Sequence, residues 1–184
     1  MLNLNFIPFP IIKTKRLLLR EVKTTDANEI FFLRSSAEVM KYINKTPAKN
    51  IEDALAFIAK MQEFEINKTA ITWAICLKED EKLIGTICIW NIDKDHHRGE
   101  VGYSLHPSHQ KKGIMQEAIE QVLNYGFSIM KLHSMEANIN PNNTASEILL
   151  KGNGFVQEGY FKENYFYNGE YLDSAVYSLL TPEK

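Results

Sequence analysis

Residues 106–115, HPSHQKKGIM, place a proline-marked break, two lysines and one glycine between a strand-like stretch, EVGYSL (100–105), and a helix-like one, QEAIEQVLNYGF (116–127). The first N–H groups of a helix have no internal partners and, together with the helix dipole, attract an anion. Gly113 lets the backbone approach such an anion closely, and Lys111 and Lys112 concentrate positive charge in a chain whose formal net charge is only -2. A phosphate or pyrophosphate is the ligand this turn suits, although the same spacing also serves as plain loop chemistry. Four of the five histidines cluster nearby, as His96-His97 and His106-Pro-Ser-His109. No cysteine or acidic constellation accompanies them, and the two pairs fall at opposite ends of one strand, so no metal site is expected.

Positioning the turn is the task of the surrounding fold, and composition bounds what that fold can be. With 184 residues, 45% hydrophobic and 24% charged, the chain suits one globular domain over 1–184, with no repeat, low-complexity segment or linker. A near-neutral charge gives no general attraction to nucleic acid or to an anionic membrane, so neither is an expected partner. Cys76 and Cys88 lie in apolar strand-like runs and read as reduced, structural residues. The opening MLNLNFIPFPII is apolar but broken by Pro8 and Pro10, without a basic leader or a small-residue cleavage site, and the expectation is a cytoplasmic protein.

Periodicity then assigns the elements. KRLLLREV (15–22) reads as a strand, and Asp26 is placed to cap a helix, with Glu29 three residues on. A second helix starts at Asn50 and ends near Asn67; AITWAICL (70–77), KLIGTICIW (82–90) and GEVGYSLH (99–106) follow as three strands. Met115, Ala118, Ile119, Val122 and Leu123 form one apolar stripe of the next helix. HSMEANIN (133–140) alternates as a strand, and NTASEILLKGNGF (143–155) is a short helix stopped at glycine. Two long strands close the chain around Asn168-Gly169, a strong hairpin signal. The order β-α-α-β-β-β-α-β-α-β-β argues for a mixed sheet flanked by helices, one of them crossing over between the fourth and fifth strands.

The stretch VGYSLHPSHQKKGIMQEAI resembles the acetyl-coenzyme A signature of the GNAT acetyltransferase superfamily, a Q/R-x-x-G-x-G/A turn that follows a strand ending in proline. Here the turn is Gln110-Lys111-Lys112-Gly113-Ile114-Met115, with methionine in place of the final small residue. TKRLLLREV, NNTASEILLKGNGFVQEGYF and NGEYLDSAVYSLL extend the resemblance over nearly the whole chain, towards the branch of ribosomal-protein N-terminal (alanine or serine) acetyltransferases. The resemblance implies an α/β (α+β) fold with a mostly antiparallel twisted sheet, splayed between its fourth and fifth strands to admit acetyl-CoA. In that reading Gln110 to Met115 hold the pyrophosphate, Tyr103, Ser104 and Leu105 pair with the pantetheine arm as another strand would, and Asn143 lies near the cofactor or simply caps its helix. Gly102 is expected to mark a bulge at the splay, the alternative being an ordinary strand glycine.

Acetyl transfer to an amine needs a base, stabilisation of the oxyanion and a proton for the departing thiolate. The resemblance makes Glu100 the first candidate for the base, against the alternative of an exposed carboxylate paired with Arg98; Glu136 and Asp173 compete for the role. The tyrosine that most of the superfamily places four residues before the terminal GF is Leu150 here. Ser146, one turn earlier on the same helical face, matches the ribosomal-protein branch and is expected to serve the sulfur. The implied activity is acetyl-CoA-dependent N-acetylation, with a protein N-terminus or a small amine such as a polyamine, antibiotic or amino acid as acceptor. A non-catalytic coenzyme A-binding module is the alternative, and a homodimer is compatible with either. The aromatic run YFKENYFY (160–167) lines an acceptor pocket or packs a sheet face; no motif chooses the acceptor.

Overall fold

The computed structural model describes residues 1–182. Eight strands form one sheet: β1 (Ile12–Lys13), β2 (Leu17–Glu21), β3 (Ile71–Leu77), β4 (Asp80–Asp93), β5 (Arg98–Leu105), β6 (Ser134–Ile139), β7 (Val156–Tyr167) and β8 (Glu170–Leu180). Their spatial order is β1-β2-β3-β4-β5-β6-β8-β7. Five helices accompany them: α1 (Ala27–Ser35), the single turn α2 (Ala37–Met40), α3 (Ile51–Ile66), α4 (Ile114–Asn124) and α5 (Thr144–Gly152). Neighbouring strands are antiparallel except β5 and β6, which run parallel and are connected through α4. Among the described residues no helix is long and apolar enough to cross a membrane.

Strand alternation divides the interior in two. Leu17 and Leu19 of β2, Trp73 and Ile75 of β3 and Ile87 and Ile89 of β4 pack against Ile119 and Val122 of α4 and Leu150 of α5. From the other face Ala74, Cys76 and Leu83 meet Ile30 and Leu33 of α1 and Ala54 and Ile58 of α3. On β5 and β6 the residues turned to the α4/α5 face are Val101, Leu105, Met135 and Ala137. Glu100, Gly102, Ser104, Glu136 and Asn138 therefore face the α1/α3 side.

The expected splay is present. β5 and β6 pair only at Arg98↔Ser134, Gly99↔Met135 and Glu100↔Glu136, after which Val101 to Leu105 have no strand partner on the β6 side. Gly102 is not a bulge, because the β4–β5 register runs unbroken from Gly85↔Leu105 to Trp90↔Glu100. The irregularity lies at the far end, where Trp90 faces Glu100 and Asp93 faces Arg98, with Asn91 at φ 49 between them. Gly102 is instead an ordinary strand glycine under close packing: a Cβ there would meet Cys88 Sγ at 3.2 Å and Trp90 Nε1 at 3.4 Å.

Two other expectations shift. Asp26 precedes α1 but makes no side-chain cap; its carboxylate takes both arms of the buried Arg20 guanidinium at 2.8 Å and the Lys23 N–H at 2.8 Å. Asn50 does cap α3, accepting from the Asp53 N–H at 2.9 Å. The helix expected over 116–127 begins two residues earlier and gives way to a π-helical turn at Tyr125–Ile129, so Gly113 of the basic turn is its N-cap. At the hairpin Asn168 and Gly169 both take positive φ, 51° and 86°, as a two-residue turn of this type requires. Cys76 and Cys88 are both free thiols, as expected.

Candidate active site

The basic turn leads straight from the splayed end of β5 into α4. Pro107–His109 forms a 3-10 turn, Lys111 and Gly113 adopt left-handed φ of 58° and 70°, and the helix starts at Ile114. Left-handed geometry at Gly113 explains the glycine, since other residues reach it only with strain. A Cβ there would have Arg16 Nη2, at 3.4 Å, as its only neighbour within contact distance. Ile114 is buried in the core and Met115 partly packed against it, so these residues offer backbone rather than side chains to any ligand. Gln110 folds back, its Nε2 donating to the Leu105 carbonyl at 3.3 Å, which ties the turn to the strand end.

On the α4/α5 face of the splay Tyr103 and Ser146 come together. Burial pushes the Tyr103 phenol up to about 12, with the Ser146 hydroxyl close enough to act the other way. No hydrogen bond of ordinary geometry joins the two, and the Tyr103 hydroxyl is buried without a partner among the described residues. Such an orphaned donor is rare in a folded interior and points at space meant for something else. Ser146 is itself buried, and its N–H donates to Asn143 Oδ1 at 3.2 Å, so Asn143 is the N-cap of α5. Ser104 turns to the opposite face and shares a hydrogen bond with Thr86 Oγ1 at 3.1 Å.

On that α1/α3 face Glu100 stands where β5 and β6 part. Burial, reinforced by the neighbouring Glu136 carboxylate, raises its carboxyl from 4.5 to about 7, against the Asn138 N–H, the Asn91 side chain and Lys45. The three competing carboxylates thus separate by environment. Arg98 pairs with Glu136, not with Glu100. Asp173 is engaged by the Tyr160 hydroxyl at 2.5 Å and the Glu163 N–H at 2.8 Å, which hold it below the usual carboxylate range. Glu100, half-buried like the other two, has no ion-pair partner among the described residues and is poised to exchange a proton near neutral pH.

The aromatic run on β7 takes a third role. The Tyr165 hydroxyl donates to the Asn44 carbonyl at 3.0 Å and the Tyr167 hydroxyl to the Lys45 carbonyl at 2.8 Å, tying the hairpin to the loop that brings Lys45 towards Glu100. Phe32 of α1 stacks on His106 at 4.4 Å between ring centroids, linking α1 to the end of β5. Among the described residues no group of three or more His, Cys, Asp or Glu side chains converges as metal ligands would. An open cleft of about 600 Å³ beside the turn is lined by Lys13 to Arg16 and by the outer face of α4. Gly113 of the basic turn also lines it, and no residue of β5 or β6 does. Loop 13–16 had no legible role in the sequence, because its contacts with the turn span about a hundred residues.

The family described as "Acetyltransferase (GNAT) domain" matches residues 16–156. The uncharacterized N-acetyltransferase YoaA of Bacillus subtilis is 35% identical over 176 residues, 96% of this chain and 99% of that protein. The spermidine N(1)-acetyltransferase of Vibrio cholerae is 27% identical over 158 residues, 86% of this chain and 89% of that protein. Among solved structures, the ribosomal-protein-S5-alanine acetyltransferase of Vibrio fischeri superimposes with a TM-score of 0.82 at 28% identity, covering 94% of this chain and 97% of that one.

Proposed function

Because the chain belongs to the GNAT acetyltransferase family and is an N-acetyltransferase, we propose that residues 1–184 form one catalytic domain that takes acetyl-CoA at the β5–β6 splay and acetylates a primary amine. The N-terminal amine of a ribosomal protein is the acceptor we favour, in line with the similarity to the S5-alanine acetyltransferase. The observation that carries the reading is the splay itself, with a carboxyl poised near neutrality on one face and an orphaned hydroxyl beside a serine on the other.

The residues fit coenzyme A. Val101 to Leu105 present strand backbone with no partner on the β6 side, the form of edge that pairs with an extended pantetheine chain. Gly113, without a side chain, and the helix N-terminus behind it suit a pyrophosphate, and Lys111 and Lys112 add charge. The buried Tyr103 hydroxyl is free to hydrogen-bond in this gap. When bound, acetyl-CoA supplies the acetyl group as a thioester.

Glu100 takes the proton of the acceptor amine at a carboxylate oxygen, directly or through a water. A carboxyl at about 7 is well matched to that task at neutral pH. Ser146, across the sheet, donates a hydrogen bond from its hydroxyl to the departing thiolate, which takes its proton from solvent, and Tyr103 stands beside it. Arg98 holds Glu136 and so leaves Glu100 as the carboxylate open to the acceptor. The test is thiol release from acetyl-CoA with a panel of ribosomal proteins, their N-terminal peptides, polyamines and amino acids. Release with N-terminal peptides alone supports the preferred acceptor, release with polyamines alone transfers the role to a small amine, and no release with any amine would refute the enzyme.

A further inference from the structure

Arg16 lies more than ninety residues before the basic turn, yet its guanidinium reaches two of that turn's carbonyls and one carboxylate of the helix that follows. Nη1 donates to the Lys112 carbonyl at 2.8 Å, Nη2 to the Gly113 carbonyl at 3.0 Å, and Nε to Glu117 Oε2 at 2.6 Å. Glu117, in the first turn of α4, is itself fastened: Oε1 accepts from the Thr14 hydroxyl at 2.5 Å and from the Arg16 N–H at 2.8 Å. Burial alone would raise the Glu117 carboxyl, but the bonds from Thr14 and Arg16 outweigh it and hold it at about 2. Glu117 is thus a carboxylate at physiological pH, held by the neutral Thr14 hydroxyl and the Arg16 guanidinium.

A trans peptide unit is planar, with its carbonyl and N–H pointing in opposite directions. Drawing the carbonyls of Lys112 and Gly113 towards Arg16, the second of them also accepting the Glu117 N–H at 3.1 Å as α4 begins, therefore aims the N–H groups of Gly113 and Ile114 the other way, away from Arg16. The positive φ at Lys111, 58° in a residue other than glycine, marks a backbone that requires such outside support. Because Glu117 neutralises the guanidinium, the effect of Arg16 is one of geometry and not of field.

We propose that Arg16 is a positioning residue for the acyl donor: it orients the two backbone N–H groups that grip the pyrophosphate, with Thr14 and Glu117 fixing its own orientation. The proposal rests on the turn at 110–115 being the pyrophosphate site. A lysine in place of Arg16 keeps the charge but lacks the planar fork that serves two carbonyls and a carboxylate together.

The experiment compares Arg16→Lys, Arg16→Gln and Glu117→Gln with the unsubstituted protein, by calorimetric titration with coenzyme A and by steady-state kinetics with a confirmed acceptor. Losing oriented hydrogen bonds to a charged ligand should raise Kd for coenzyme A and KM for acetyl-CoA about tenfold or more in both Arg16 variants. The turnover at saturating acetyl-CoA and the acceptor KM should stay within about twofold, a split that general damage to the fold would not leave. Glu117→Gln should show the same split to a smaller degree, and it decides the matter if an Arg16 variant fails to fold. Unchanged affinity, full rescue by lysine, or equal losses in turnover and affinity would each overturn the proposal. Gly113→Glu serves as the separate control: if it leaves coenzyme A binding intact, the turn itself has been misassigned, whereas loss there with unaltered Arg16 variants refutes only the clamp.

Discussion

Replacing Glu100 by glutamine removes the proposed proton acceptor while keeping the shape of the side chain, and two quantities should move in opposite directions. Loss of a general base lowers turnover by about 10²–10⁴-fold. With the carboxyl at about 7, the fraction ionised rises from about one tenth at pH 6 to about nine tenths at pH 8, so the unsubstituted enzyme should gain roughly tenfold across that interval. Glu100→Gln should lack this limb, and its deficit should shrink at high pH, where the amine deprotonates in solution. Stability should respond the other way, since the folded state raises this carboxyl above its unfolded value of 4.5. Below that value both states hold the proton and the residue costs nothing. Between 4.5 and about 7 the folded state is progressively penalised, and above about 7 the penalty is complete. Scaling the rise at 1.36 kcal/mol per pH unit and reducing it for partial solvent access leaves about 1–2 kcal/mol. Glu100→Gln should therefore raise the denaturation midpoint at pH 8 and leave it unchanged at pH 4. Turnover within a few-fold of normal across the pH range, with a confirmed acceptor, would refute the assignment and move the base to solvent.

Ser146→Ala should give a smaller loss, about tenfold, and a flatter one, because a hydroxyl serving the sulfur is useful at every pH; the pH profile of kcat distinguishes it from Glu100→Gln. Gly113→Glu should abolish coenzyme A binding by calorimetry with the fold intact by circular dichroism, since a carboxylate at the turn would repel the pyrophosphate and the left-handed φ of 70° disfavours a side chain. Asp26→Ala leaves the buried Arg20 guanidinium without its counter-charge and should cost about 3–5 kcal/mol in a urea titration, with coenzyme A affinity unchanged in the folded fraction.

Much of this architecture is legible in local patterns. Alternating strands, the apolar stripe of α4 and the Asn168-Gly169 turn follow from periods of 2 and 3.6 residues and from backbone preference, which neighbours in the chain decide among themselves. The glycine at the start of α4 belongs to the same class, because a helix N-terminus needs no distant partner to attract an anion. Asp26 shows where that reasoning stops. Its spacing from Glu29 suits a capping box, but the carboxylate is taken by Arg20, whose burial makes a two-armed ion pair a stronger claim than one cap hydrogen bond.

Residue types and spacing by themselves pointed to the basic turn at 110–115, to every strand and α-helix among the described residues except the two-residue β1 and the single turn α2, and, through resemblance, to the family. Only the tertiary structure separated three carboxylates of identical local promise: Glu136 is neutralised by Arg98, Asp173 is spent on Tyr160 and Glu163, and Glu100 is left half-buried at about 7. It likewise replaced a bulge at Gly102 by close packing under Cys88 and Trp90, and fastened the turn at 110–115 from Arg16. The reason is common to all three. Burial and ion pairing depend on groups brought together from distant parts of the chain, and no periodicity or spacing within a segment encodes which of them will meet.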